Sequence, residues 1–128
     1  MRVLLIGDEP NIIEAINFIL SREGYDVVTH ANGHDAMHAV RGRAPDMIIL
    51  DVMLPGRSGF EILEDIRADQ AFADTPVLML TARGQTRDRE LAEKLGVSKF
   101  MTKPFVNSEV LETVRTLPAK VGAGSRLP

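Results

Sequence analysis

A chain of 128 residues fits a single domain and is long enough to bury a core without staples. It contains no cysteine, which excludes a disulfide framework and a thiolate metal site. A formal charge of -3 with dispersed lysines and arginines forms no basic stripe for direct nucleic-acid binding. The apolar run in MRVLLIGDEP is too short for a signal peptide or a membrane span, so the expected location is cytoplasmic.

In chain order, Arg2 to Ile6 is a β-rich run ended by Gly7, with Asp8 and Glu9 directly after it. Pro10 and Asn11 sit at a helix start, where proline is tolerated because the first amides have no partner. From Ile12 to Glu23, Ile12, Ala15, Ile16 and Ile19 recur at helical spacing, widened by Ile13 and Leu20, and Gly24 stops the helix. Tyr25 to Thr29 reads as a second strand. A weak helix follows through Arg41, with Ala36, Met37 and Val40 inward and Gly42 at its end.

Met47 to Leu50 is an apolar run too short for a helix, the pattern of a strand buried on both faces, and it stops on Asp51. After the turn at Pro55 and Gly56, Phe60, Ile62, Leu63 and Ile66 mark a third helix, with Glu61, Glu64, Asp65 and Arg67 on its exposed side. Val77 to Leu80 is a fourth strand finishing on Thr81. The charged helix from Thr86 to Leu95 has only Leu91, Ala92 and Leu95 as core contacts, so it should be lightly anchored. Lys99 to Met101 is a minimal fifth strand before Thr102, Lys103, Pro104 and Phe105. Asn107 or Ser108 should cap a last helix carrying Val110, Leu111, Val114 and Leu117. Residues 118–128, rich in Gly, Pro and Ser, read as a flexible tail or linker stub behind a domain of residues 1–117.

Five alternations of strand and helix at these intervals define an α/β fold with a parallel sheet, and the flavodoxin-like strand order 2-1-3-4-5 is the default. That order gathers Asp8, Asp51 and Thr81 at the carboxyl ends of adjacent strands, where ligands bind in open sheets, with Lys103 beside them. Two carboxylates can ligate a hard cation such as magnesium. A hydroxyl and an ammonium suit phosphoryl oxygens, and Asp51 can act as the nucleophile that forms an aspartyl phosphate.

The turn GDEPN, the stretch DVMLPGRSG, the LTA after the fourth strand and KFMTKPF around the fifth occur in order, each at a strand's carboxyl end. With these four motifs the chain resembles a bacterial two-component response regulator receiver domain from about Arg2 to Leu117. The resemblance implies that Asp51 is the phosphoacceptor, Asp8 a magnesium-binding acid, and Met53 the residue whose main-chain carbonyl also binds magnesium. It further implies that the Thr81 hydroxyl moves toward the phosphoryl group, that Lys103 contacts it, and that Phe100 is the switch aromatic. The Lys103–Pro104 peptide bond would be cis. The implied partners are a sensor histidine kinase or histidine phosphotransfer protein and a downstream target or missing output domain, with room for a phosphorylation-dependent dimer. Such a chain is a switch rather than an enzyme with a turnover substrate.

One departure stands at Gly7, where the family usually has the first of two acids; Glu9 corresponds to the residue after that pair and is read as favouring the helix N-terminus. A pseudo-receiver that keeps the fold without the chemistry is the main alternative, with Gly7 as its support. A haloacid-dehalogenase-like phosphatase would need a second acid two residues after the nucleophile, where this chain has Met53. His30, His34 and His38 are read as surface residues.

Overall fold

The third strand, β3 (Met47–Asp51), is buried along its whole length, and the rest of the chain is wrapped on its two faces. In the computed structural model, which describes residues 1–81, 86–103 and 106–117, five parallel strands are ordered β2-β1-β3-β4-β5. The others are β1 (Arg2–Ile6), β2 (Asp26–His30), β4 (Val77–Thr81) and β5 (Lys99–Thr102). They alternate with α1 (Pro10–Arg22), α2 (Ala36–Arg43), α3 (Gly59–Ala68), α4 (Thr86–Lys94) and α5 (Asn107–Thr116). This is the doubly wound flavodoxin-like arrangement.

Because successive strand side chains point to opposite faces, the sheet divides its apolar residues between two cores. Val3, Leu5, Met47, Ile49, Leu78 and Leu80 pack with Ile16 and Leu20 of α1 and Val110 and Val114 of α5. Leu4, Ile6, Ile48, Leu50, Val77 and Met79 pack with Ala36 and Val40 of α2, Ile62, Leu63 and Ile66 of α3, and Ala92 of α4. Each such leucine or isoleucine contributes about 1.5–3 kcal/mol by leaving water. The sheet is therefore a rigid slab whose carboxyl edge carries the site.

Helix ends depart from the sequence reading in ways that have local causes. The helix α2 runs through Gly42 and ends on Ala44, which takes a left-handed φ of 47°. Pro45 disfavours helical backbone in the residue before it, so the reversal falls on Ala44 rather than on the glycine. For α5 the cap position is Val106, with no side-chain cap bond, instead of Asn107 or Ser108. Leu91 of α4 is 39% exposed and not a core contact; Ala92 is the helix's buried residue, with Leu95 packing after its end. The light anchoring of α4 thus rests on one small side chain.

Arg67 is not a solvated residue on the outer side of α3. Its guanidinium is half-buried and donates to the carbonyls of Gly96, Phe72, Ala73 and Thr75, at 2.8, 3.4, 3.2 and 2.7 Å. Burial pushes its pKa down, and the carbonyls it satisfies belong to the α3–β4 connection and the α4–β5 turn. One side chain fastens both segments to α3. The tail at 118–128, the Lys103–Pro104 peptide, Phe105 and the Ala82 of the LTA stretch lie outside the described residues.

Candidate functional site: a buried carboxylate at the sheet edge

Asp51 ends β3 with only 5% of its surface exposed. Parallel pairing sets Ile6 against Leu50 and Leu80 against Asp51, so the ends of β1 and β4 flank it. The loop behind it is fixed by local chemistry. Gly56 takes a φ of 91°, and Ser58 and Glu61 form a reciprocal capping box that starts α3. At Gly59 a Cβ would fall 2.4 Å from the Asp51 carbonyl oxygen, so only glycine lets α3 begin against the backbone of Asp51.

The two Asp51 oxygens have different partners. Oδ1 accepts from the Met53 amide at 3.1 Å, and Oδ2 accepts from the Lys103 ammonium at 3.1 Å. Burial pushes the Asp51 carboxyl above its ordinary value, opposed by Lys103 and the Met53 amide. Burial likewise works against the Lys103 charge, but Glu9 and Asp51 together outweigh it and hold the ammonium above its usual value. Lys103 bridges the two acids, since its Nζ also donates to Glu9 Oε1.

Thr81 ends β4, is 2% exposed, and pairs in register with Thr102. Its carbonyl accepts from the Lys103 amide at 2.6 Å, which ties the fifth-strand lysine to the fourth-strand threonine. Phe100 points into the core between the sheet and α4, 5% exposed, and the Arg89 guanidinium of α4 lies 5.1 Å from its ring centroid. Met53 is 63% exposed, in the turn directly after Asp51 and Val52. Asp8 is exposed and lines a cleft of about 320 Å³ with Gly7, Pro10, Ile13, Thr29, His30 and Ala31.

Gly7 stands directly beside Asp51: a Cβ built on it would lie 3.6 Å from the Asp51 Cβ and 2.8 Å from Ile13 Cδ1. The space next to the missing side chain is thus taken by the tip of Ile13. Among the described residues no group of three or more His, Asp or Glu side chains is arranged to hold a metal by itself. The groups that the resemblance assigns to a cation, the Asp8 and Asp51 carboxylates and the Met53 main-chain carbonyl, are hard oxygens. Each Asp51 oxygen has one hydrogen-bond donor, which leaves lone pairs for a cation. This set fits magnesium, which keeps several waters and takes one or two carboxylates with phosphate oxygens.

Glu9 stands at the helix N-terminus as expected, but it has a partner the sequence reading missed. It occupies the cap position of α1 but makes no cap bond; its carboxylate turns to Lys103 instead. No periodicity marks such a pair, because β1 and β5 are separated by β3 and β4 and the contact depends on the reach of a lysine stem. His34 and His38 are exposed, whereas His30 is partly buried and bonded to Asp35 at 2.6 Å.

Comparison with known proteins agrees with this architecture. The chain is 37% identical over 116 residues to the alkaline phosphatase synthesis transcriptional regulatory protein PhoP of Bacillus subtilis (strain 168). That match takes in 91% of this chain and 48% of the relative, so the chain spans about half the relative's length. Among solved structures, the chemotaxis protein CheY4 of Vibrio cholerae superposes with a TM-score of 0.85 at 29% identity, covering 91% of this chain and 98% of that one. The beryllofluoride-activated receiver domain of RstA from Klebsiella pneumoniae gives 0.83 at 25% identity, covering 90% and 96%. Residues 3–115 match the response regulator receiver domain as a family, and the chain belongs to it.

Proposed function

We propose that Asp51 accepts a phosphoryl group from a histidine kinase or a histidine phosphotransfer protein, in a magnesium-dependent reaction. The observation that carries this reading is the buried Asp51 carboxylate at the open sheet edge with the Lys103 ammonium 3.1 Å away. An Asp51 oxygen attacks phosphorus, the bond from phosphorus to the donor's imidazole nitrogen breaks, and the imidazole leaves with the electron pair. The acid must be ionised to attack. Lys103 and the Met53 amide favour that form against the effect of burial. Asp8, Asp51 and the main-chain carbonyl of Met53 would hold the cation, which supplies charge neutralisation on the phosphoryl oxygens. Lys103 meets the same oxygens from the β5 side.

The output follows from the neighbours of Asp51. The Thr81 hydroxyl moves toward the phosphoryl group, Phe100 repacks with it, and the α4–β5–α5 surface carries the change to a protein target, an attached output domain or a second copy. With one buried side chain, α4 is the element least held in place and the easiest to redistribute. The chain acts as a switch of about residues 1–117 in the cytoplasm and turns over no separate substrate. No helix among the described residues is long and apolar enough to cross a membrane.

The RstA receiver, similar in fold, is known in a beryllofluoride-activated form, and the same phosphoryl mimic tests this chain. Amide shifts of the magnesium-loaded protein should change around Asp51, Thr81, Phe100 and Lys103 when beryllofluoride is added. The change should vanish with a chelator or in Asp51→Asn. A protein that keeps its fold and does not respond would instead be the pseudo-receiver that Gly7 allows.

A further inference from the structure

We infer that Glu9 is a tuning residue of the Asp51 site, supplying the negative charge that Gly7 lacks, so that it favours the cation and opposes the phosphoryl group. The inference rests on the phosphoacceptor reading. Its first ground is the place of Gly7: a side chain there would stand beside Asp51, yet the position carries none and Ile13 Cδ1 occupies the space. The position that adjoins Asp51 at the end of β1 therefore brings no charge of its own.

The second ground is the path of Glu9. Two residues along from Gly7, its carboxylate turns inward to Lys103, and Lys103 in turn bonds Asp51, so acid, ammonium and acid form one continuous chain. The Lys103 side chain is 12% exposed and the Glu9 side chain 52%, so the pair meets at the mouth of the site, partly screened by water. Through the shared ammonium, a charge on Glu9 bears on whatever binds at Asp51.

The sign differs for the two ligands. A fixed negative charge draws a divalent cation in and repels an incoming anionic phosphoryl group. Glu9 also engages one of the three ammonium protons of Lys103, the side chain that must reorganise around phosphoryl oxygens. A purely structural role for Glu9 would move both affinities together, through the position of Lys103 or the stability of α1.

Glu9→Gln removes the charge and keeps the shape. Magnesium affinity, read from thermal unfolding across a magnesium titration, should fall about three- to tenfold. Beryllofluoride affinity at saturating magnesium, read from amide shifts, should rise by a similar factor of about three to ten. Glu9→Asp keeps the charge on a shorter stem and should stay near wild type on both axes. The inference is overturned if both affinities move in the same direction, if neither moves, or if Glu9→Asp behaves as Glu9→Gln. A wild-type protein that binds magnesium but never responds to beryllofluoride overturns the phosphoacceptor reading instead.

Discussion

Replacing Gly7 with aspartate probes the acidic edge most sharply, because its effect on stability should depend on magnesium. The introduced Cβ would lie 3.6 Å from that of Asp51, and the clash at 2.8 Å is with Ile13 Cδ1, the free end of a side chain that can rotate away. Two carboxylates on such neighbours sit roughly 5 Å apart, which at an effective dielectric of 20 to 80 is about 1–3 kcal/mol of repulsion. Attraction to Lys103 offsets part of it. Without metal, Gly7→Asp should therefore lose about 1–2 kcal/mol, or several degrees in Tm. With saturating magnesium the added acid can hold a metal-bound water and tighten binding roughly tenfold, worth about 1.4 kcal/mol. Mass action should then cancel or reverse the loss. Thermal unfolding of both proteins, in chelator and in excess magnesium, measures the four values required. A gap between the proteins that is the same in both conditions would refute the placement of a metal beside Gly7.

Two further perturbations follow from the packing. Desolvation raises the Asp51 carboxyl in the folded protein, so its ionisation costs stability as pH rises from the ordinary value of 3.8 through the raised one. Asp51→Asn removes that cost: urea unfolding curves should converge below the ordinary carboxylate range and separate above it, with the variant the more stable, and a pH-independent gap would contradict this. Arg67→Ala should cost about 1–3 kcal/mol by removing the side-chain donor to the Ala73, Thr75 and Gly96 carbonyls, while the Phe72 carbonyl keeps the Thr75 amide, and amide exchange should quicken first around residues 72–75 and Gly96. Loss confined to α3 would show that Arg67 does not fasten the two segments.

The sheet was legible because β1, β3 and β4 are short, largely buried apolar runs and turn residues bracket them. β3 is the clearest case: four apolar residues stopping on an acid read as an interior strand with its chemistry at the edge, and all five are buried. That edge was enough to place Asp51 and Lys103 together, since both follow strand ends on the same side. What was not legible depends on the reach of long side chains. Glu9 and Arg67 both look like ordinary helix-terminal charges, yet one crosses to β5 and the other turns inward to four carbonyls. Leu91 was misplaced because a leucine at helical spacing signals burial only if a neighbouring surface exists to cover it. At the start of α5 the polar cap candidates fell one or two positions late, as Val106 takes the extended backbone that precedes the helix.

The central claim, that Asp51 is the group that takes up phosphate, is tested most directly by covalent labelling. The protein is incubated with acetyl phosphate and magnesium, and the intact mass and the site of the added group are determined by peptide mapping. One base-labile phosphoryl group should appear on the peptide containing Asp51. It should be absent with chelator and absent in Asp51→Asn, which keeps the fold. Phosphate that persists in Asp51→Asn, or a wild-type protein that takes up none while it binds magnesium, would contradict the account.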